Sequence, residues 1–172
     1  MPAQNCVAGV NGGYFDEQFA PLGLRILDGK TLAPLQRARL LSGVLVQTEN
    51  GVQIFRRSEF SRSAHTRAAV QCGPLLVDLA RPVRGLEPTR QARRTFVAVT
   101  RDKRAALGCS SDVSLAELGG ILAGDVSGVR FHRALNLDGG SSTALWFQRK
   151  TGDAFSIGEQ KAVRDFVGLS AK

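Results

Sequence analysis

The sequence predicts an α+β domain, a mostly antiparallel sheet with one or a few packed helices. Short apolar runs with polar alternation recur along the chain, separated by Gly, Asn and Asp turns, as half-buried strands require. Only one stretch opens as a clear helix: Ser114-Leu115-Ala116-Glu117 is a capping box, followed by Leu118, Ile121 and Leu122 on one face. No internal repeat or low-complexity tract interrupts this pattern, so residues 1–172 read as a single domain.

The elements follow in order. Val7 to Val10 is a short strand running into Asn11-Gly12-Gly13-Tyr14-Phe15, a turn whose Asn tolerates the left-handed region and whose amide could face a ligand. Pro21 to Ile26 reads as a strand closed by Asp28-Gly29. Leu41 to Gln47 and Val52 to Phe55 form a hairpin around Glu49-Asn50-Gly51, with Asn-Gly as the turn signal. Ala68 to Val77 is a strand that Gly73-Pro74 must break or bulge, because proline cannot donate to a ladder. The segment 81–94 holds five arginines and two prolines and is a loop. It feeds the strand Thr95 to Thr100, which places Arg94 and Thr95 at a strand entrance. Gly119-Gly120 inside the helix costs about 1 kcal/mol per glycine relative to alanine, which close packing on a sheet would explain. Ala162 to Leu169 is a final strand.

The chemistry concentrates in Leu135-Asn136-Leu137-Asp138-Gly139-Gly140-Ser141-Ser142-Thr143. A carboxylate, two glycines and three hydroxyls sit between two strand-like runs. Gly-Gly at a strand end permits a sharp turn and can leave successive N–H groups facing outward as an anion-binding nest, with Asp138 beside it. Taken alone, the same residues also make an ordinary hairpin turn.

Composition bounds the partners. With 43% hydrophobic and 22% charged residues the chain is a globular protein, and no apolar run approaches the ~20 residues of a membrane span. The first residues lack the basic and apolar regions of a signal peptide, and the compartment stays open. A net charge of +8, nearly all arginine, favours an anionic partner: nucleic acid, anionic lipid or a small phosphorylated ligand. Arginine bias can equally be codon composition. Cys6, Cys72 and Cys109 form no CxxC pair and are odd in number, which excludes a zinc site and a disulfide framework. Three buried thiols, or one disulfide and a free thiol, remain. No P-loop, dinucleotide fingerprint, HExxH or GxSxG occurs. A Ser141–His132 pair and a Cys109 nucleophile are the weaker alternatives. What remains is equipment for holding a phosphate and cleaving a neighbouring bond with carboxylate or acid–base chemistry.

Five motifs in fixed order now suggest a relationship: Asn11-Gly12-Gly13-Tyr14-Phe15; Pro21-Leu22-Gly23-Leu24 with Asp28-Gly29-Lys30; Cys72-Gly73-Pro74-Leu75-Leu76-Val77; Arg94-Thr95; and Leu135 to Ser142. From about Ala8 to Leu169 the chain resembles the phosphodiester glycosidase family. The resemblance implies an α+β domain with its glycine turns at one cleft, and hydrolysis of a sugar-1-phosphodiester. It makes Asp138 the catalytic carboxylate, acting on the anomeric carbon or through a divalent cation. Arg94 and the Gly139-Gly140 backbone would hold the phosphate, with Arg164 as a second clamp. Ser141, Thr95 and Asn11 would orient oxygens, with Gly12, Gly13 and Gly73 lining the cleft. Asp16 and Asp28 are the candidates for an acid–base partner. The chain departs from the family in having two glycines rather than three before Ser141. It also has almost nothing ahead of Asn11, where the family carries strands; a fragment, a minimal variant or a sheet-completing homodimer would each account for this. Family members are often exported. The rival readings are a non-catalytic binder of anionic or phosphorylated glycans, and a nucleic-acid-binding domain. The latter predicts aromatics among the basic residues, which the arginine loop lacks.

Overall fold

A computed structural model describes residues 6–170, and over them the chain carries fourteen strands and one helix of nine residues. In order come β1 (Cys6–Asn11), β2 (Arg25–Leu27), β3 (Lys30–Ala33), β4 (Gly43–Thr48) and β5 (Gly51–Arg56). Then follow β6 (Thr66–Cys72), β7 (Leu75–Asp78), β8 (Arg81–Pro82), β9 (Ala92–Val99), β10 (Ala105–Val113) and α1 (Leu115–Ala123). The chain closes with β11 (Arg133–Asn136), β12 (Leu145–Gln148), β13 (Ala154–Ile157) and β14 (Phe166–Ser170).

The architecture is therefore mostly β, and the α+β expectation is corrected. Three antiparallel sheets run β13-β12-β1-β14, β10-β9-β11-β7-β8 and β3-β2-β6-β4-β5. The excess of strand comes from stretches whose polarity hid them. β10 carries Gly108-Cys109-Ser110-Ser111-Asp112, which reads as a turn, yet it pairs with β9 from Ala105↔Val99 to Val113↔Ala92. An edge strand with one face toward solvent accepts such residues. The hairpin register is also sharper than the sequence indicates. Thr48 pairs with Gly51, so Glu49 and Asn50 are the two loop residues and Gly51 opens β5.

Alternation along the central sheet separates two cores. Val97, Val99, Leu135 and Leu75 pack with Val10, Leu45 and Ile54 on the face toward the other sheets. Ala98, Ala134, Leu76 and Val77 pack against Leu118 and Leu122 of α1 on the opposite face. The Ser114 hydroxyl accepts from the Glu117 N–H at 3.1 Å while the Glu117 carboxylate accepts from the Ser114 N–H at 2.7 Å, so the capping box forms. Gly119 lies where a Cβ would come within 3.1 Å of the Leu76 carbonyl oxygen, whereas Gly120 meets open space. Close packing thus accounts for the first glycine only.

Gly73-Pro74 ends β6 and passes the chain from the β3-β2-β6-β4-β5 sheet into the central one. A Cβ on Gly73 would overlap the Leu40 carbonyl oxygen and stand 2.9 Å from the Ser42 nitrogen. Main chain cannot yield as a side-chain tip does. Gly73→Ala is expected to cost about 1–3 kcal/mol in a denaturant titration, and a change within a few tenths of the parent would show that this turn has slack.

Between the sheets a cleft of about 730 Å³ opens, walled by Leu27, Leu45, Val52, Leu107 and Leu169, with Arg25, Arg164 and Asp165 also on its lining. Among the described residues no helix is long and apolar enough to cross a membrane.

Candidate active site

The turn after β11 builds the site. The Leu137 N–H donates to the Thr95 carbonyl at 2.8 Å and the Asp138 N–H to the Gly12 carbonyl at 3.1 Å, so β9 and the end of β1 both grip the strand end. The Gly139 N–H then turns back to the Asp138 carboxylate at 2.9 Å, and Gly140–Ser142 winds a short 3₁₀ turn. Gly140 sits at φ +62°, a conformation that a side chain would strain. Burial pushes the Asp138 carboxyl above the usual carboxylate range, partly opposed by the Ser142 hydroxyl and the Gly139 N–H.

Asn11 and Thr95 lie behind this turn rather than in front of it. Asn11 is 1% exposed and Thr95 fully buried. The Asn11 Oδ1 accepts from the Thr95 hydroxyl at 2.7 Å and from the Ala144 N–H at 3.0 Å, while its Nδ2 donates to the Asp138 carbonyl at 2.7 Å. The amide expected to face a ligand instead ties both ends of the Asp138 turn to β9. Gly12 and Gly13 are likewise buried, against the Arg25–Asp165 ion pair, whose Nε–Oδ2 separation is 2.6 Å.

A second layer forms around Tyr14. Its hydroxyl donates to the Gly73 carbonyl at 2.6 Å, and the Asn136 Nδ2 reaches the same carbonyl at 3.0 Å. Burial, then the neighbouring Cys72 and Asp138, raise the phenol far above its ordinary range, while the hydrogen bond from Asn136 and then Arg94 oppose them. Tyr14 thus links the Gly73 turn to Asn136, two residues before Asp138, with Cys72, Asp138 and Arg94 each within its electrostatic reach. Burial pushes the Cys72 thiol up to about 12, which makes it inert near neutrality. Arg94 is anchored by the Val113 carbonyl at 3.0 Å and the Arg90 carbonyl at 2.6 Å. Burial and Arg90 lower its own ionisation.

The remaining candidates scatter. The Ser141 carbonyl is taken by the Gln160 N–H at 2.7 Å, and it is Ser142 whose hydroxyl meets Asp138. Arg164 donates to the Phe19 carbonyl, stands 4.0 Å from the Asp165 carboxylate and lines the apolar cleft. Asp16 caps its own loop through the Gln18 and Ala20 N–H groups, and Asp28 is an exposed turn residue at φ +48°. His132 precedes β11 and Ser141 follows it, so the strand itself, roughly 13 Å at ~3.3 Å per residue, separates that pair. Cys109 lies within β10 opposite Thr95, and burial raises its thiol, which is unfavourable for a nucleophile. Among the described residues no three His, Cys, Asp or Glu side chains gather as a metal site. A divalent cation held by Asp138 would complete its coordination with backbone or hydroxyl oxygens, water or oxygens of the ligand.

Tyr14, Asn136 and Ser142 escaped the sequence reading although each stands inside a quoted motif. The available signal was Asn136 between two leucines: an amide in a buried strand must find partners, and partners mark a constellation.

A family model for phosphodiester glycosidases matches residues 4–170. The chain belongs to the phosphodiester glycosidase family, a family of hydrolases. Among solved structures it is similar to the catalytic domain of zebrafish N-acetylglucosamine-1-phosphodiester alpha-N-acetylglucosaminidase auto-inhibited by its pro-peptide, with a TM-score of 0.71 and 15% identity. That match covers 98% of this chain and 64% of the zebrafish chain, and at this identity it shows the fold. Among curated proteins it is 36% identical over 76 residues to the uncharacterized protein YigE of Escherichia coli (strain K12). The match covers 40% of this chain and 30% of YigE, so the chain spans less than two thirds of either relative.

Proposed function

We propose that the chain hydrolyses a sugar-1-phosphodiester at the Asp138 turn. The observation that carries the reading is the packing of the Asp138 turn on the start of β9: the Leu137 N–H donates to the Thr95 carbonyl at 2.8 Å, and a Cβ on Gly139 would stand 3.6 Å from the Arg94 Cα. Arg94 and the backbone N–H of Gly140 hold the phosphate, the Gly139 N–H being spent on the Asp138 carboxylate. Ionised Asp138 faces the anomeric carbon, where positive charge develops as the sugar–oxygen bond breaks. Asn11 and Thr95 keep the turn in place from behind. Arg164 and Ser141 have no assigned part in this scheme. The direct test is release of free sugar from an aryl phosphodiester of N-acetylglucosamine 1-phosphate, with no release as the adverse result. A binder of phosphorylated glycans would hold the ligand without turning it over.

A nucleic-acid-binding surface would draw on arginines free to meet phosphates, and six of the eighteen are engaged within the chain. Arg25, Arg56, Arg67, Arg104, Arg133 and Arg149 are each paired with a carboxylate of the chain. Association with long DNA or RNA is expected to be weak and to fall steeply between about 50 and 200 mM salt. Nanomolar binding of one sequence at the higher salt would instead favour nucleic-acid recognition.

A further inference from the structure

Tyr14 is the chain's single tyrosine, and the fold spends its one hydroxyl proton internally, on the Gly73 carbonyl at 2.6 Å. The neighbouring Asn136 Nδ2 faces three acceptors: the Leu137 carbonyl at 2.6 Å, the Gly73 carbonyl at 3.0 Å and the phenol oxygen at 3.1 Å. An amide nitrogen carries only two protons, and the two carbonyls lie nearer. Flipping the amide would set its oxygen against both carbonyls, so the orientation is fixed. The phenol oxygen thus accepts only the longest of the three Asn136 contacts, at 3.1 Å, and keeps a second lone pair for which the structure shows no donor among the described residues. Tyr14 is half-buried, and it lies within electrostatic reach of both Asp138 and Arg94.

We infer that Tyr14 is a specificity-determining residue that reads a hydrogen-bond donor on the sugar, a ring hydroxyl or an N-acyl N–H, and contributes nothing to holding the phosphate. With its own proton committed to Gly73, the phenol can only accept from a ligand. A phosphodiester group carries only acceptors and would be repelled by those lone pairs, whereas a sugar presents donors around its ring. The inference rests on the sugar-phosphate reading of the Asp138 turn.

The experiment compares binding of N-acetylglucosamine 1-phosphate and inorganic phosphate to the parent and to Tyr14→Phe by calorimetry. Loss of one neutral hydrogen bond should raise Kd for the sugar phosphate about three- to tenfold. Inorganic phosphate should bind both forms alike. Equal weakening of both ligands would make Tyr14 a mere brace of the Gly73 turn, and unchanged sugar-phosphate binding would remove its role; either result overturns the inference. A parent that binds neither ligand fails the reading of the site itself, and that failure is visible without the variant. Deoxy and deacetylated sugar phosphates tested on the parent give an independent check that no folding defect can blur. One missing donor must weaken binding by a similar factor, and an affinity insensitive to every donor would refute the assignment.

Discussion

Asp138→Asn is expected to lower turnover of an aryl phosphodiester of N-acetylglucosamine 1-phosphate by roughly a thousandfold or more, with an unchanged or slightly higher melting temperature. Asn keeps the size of the side chain and removes the charge that would oppose the developing positive charge at the anomeric carbon. Groups aimed at such charge carry several kcal/mol of transition-state stabilisation. The stability arm follows from the direction of the ionisation shift. Burial raises the Asp138 carboxyl, so the folded state holds that proton more tightly than the unfolded chain does. A raised carboxyl favours folding at low pH, and that advantage is lost as pH rises through the folded value. At neutral pH ionised Asp138 is a modest cost that Asn removes. Activity should run the other way with pH, falling on the acid side as Asp138 takes up its proton, over a range displaced upward from that of a free aspartate. Robust turnover by the Asn variant would exonerate Asp138 and point to another carboxylate. No turnover by the parent, with retained ligand affinity in both forms, would identify a binder.

The central turn was legible because its signals are local. Gly-Gly after a strand, Asp-Gly, the capping box at Ser114 and the break at Gly73-Pro74 each depend on a few neighbouring residues. The strand content was not, because β10 is polar and β3 and β13 are four residues or fewer at sheet edges, where pairing rather than composition makes the strand. The placement of Asn11 was legible as a position but not as a role. Its motif marks a residue that matters, and only the tertiary fold reveals that its amide is sealed behind the turn. Arg164 illustrates the converse. It matches a family position, yet the described contacts take it to the Phe19 carbonyl rather than to Asp138.

The Asn11 brace yields the second large effect, this time on stability. Asn11→Ala would strip the Thr95 hydroxyl and the Ala144 N–H of their acceptor, and the Asp138 carbonyl of a donor, all beside a side chain only 1% exposed. Each buried group left unmatched costs about 1–3 kcal/mol, and because the three share one cavity their losses do not simply add. A total of about 3–5 kcal/mol is expected in denaturant titration, among the largest for any single substitution here. Asn11→Asp separates the donor from the acceptor. An ionised carboxylate would still accept from Thr95 and Ala144, but it would face the Asp138 carbonyl with charge instead of a proton. When protonated it can supply that proton. Burial would disfavour its ionised form in the folded state, so the variant should gain stability relative to the parent as pH falls and lose it as pH rises. An Ala variant within about 1 kcal/mol of the parent, or an Asp variant whose deficit ignores pH, would show that the Asp138 turn is held elsewhere. Turnover by whatever fraction remains folded gives the final discrimination. If Asn11 acts only by holding Asp138 in place, kcat should fall in the Asp variant at neutral pH and recover in part where protonation restores the missing donor, until Asp138 itself is protonated.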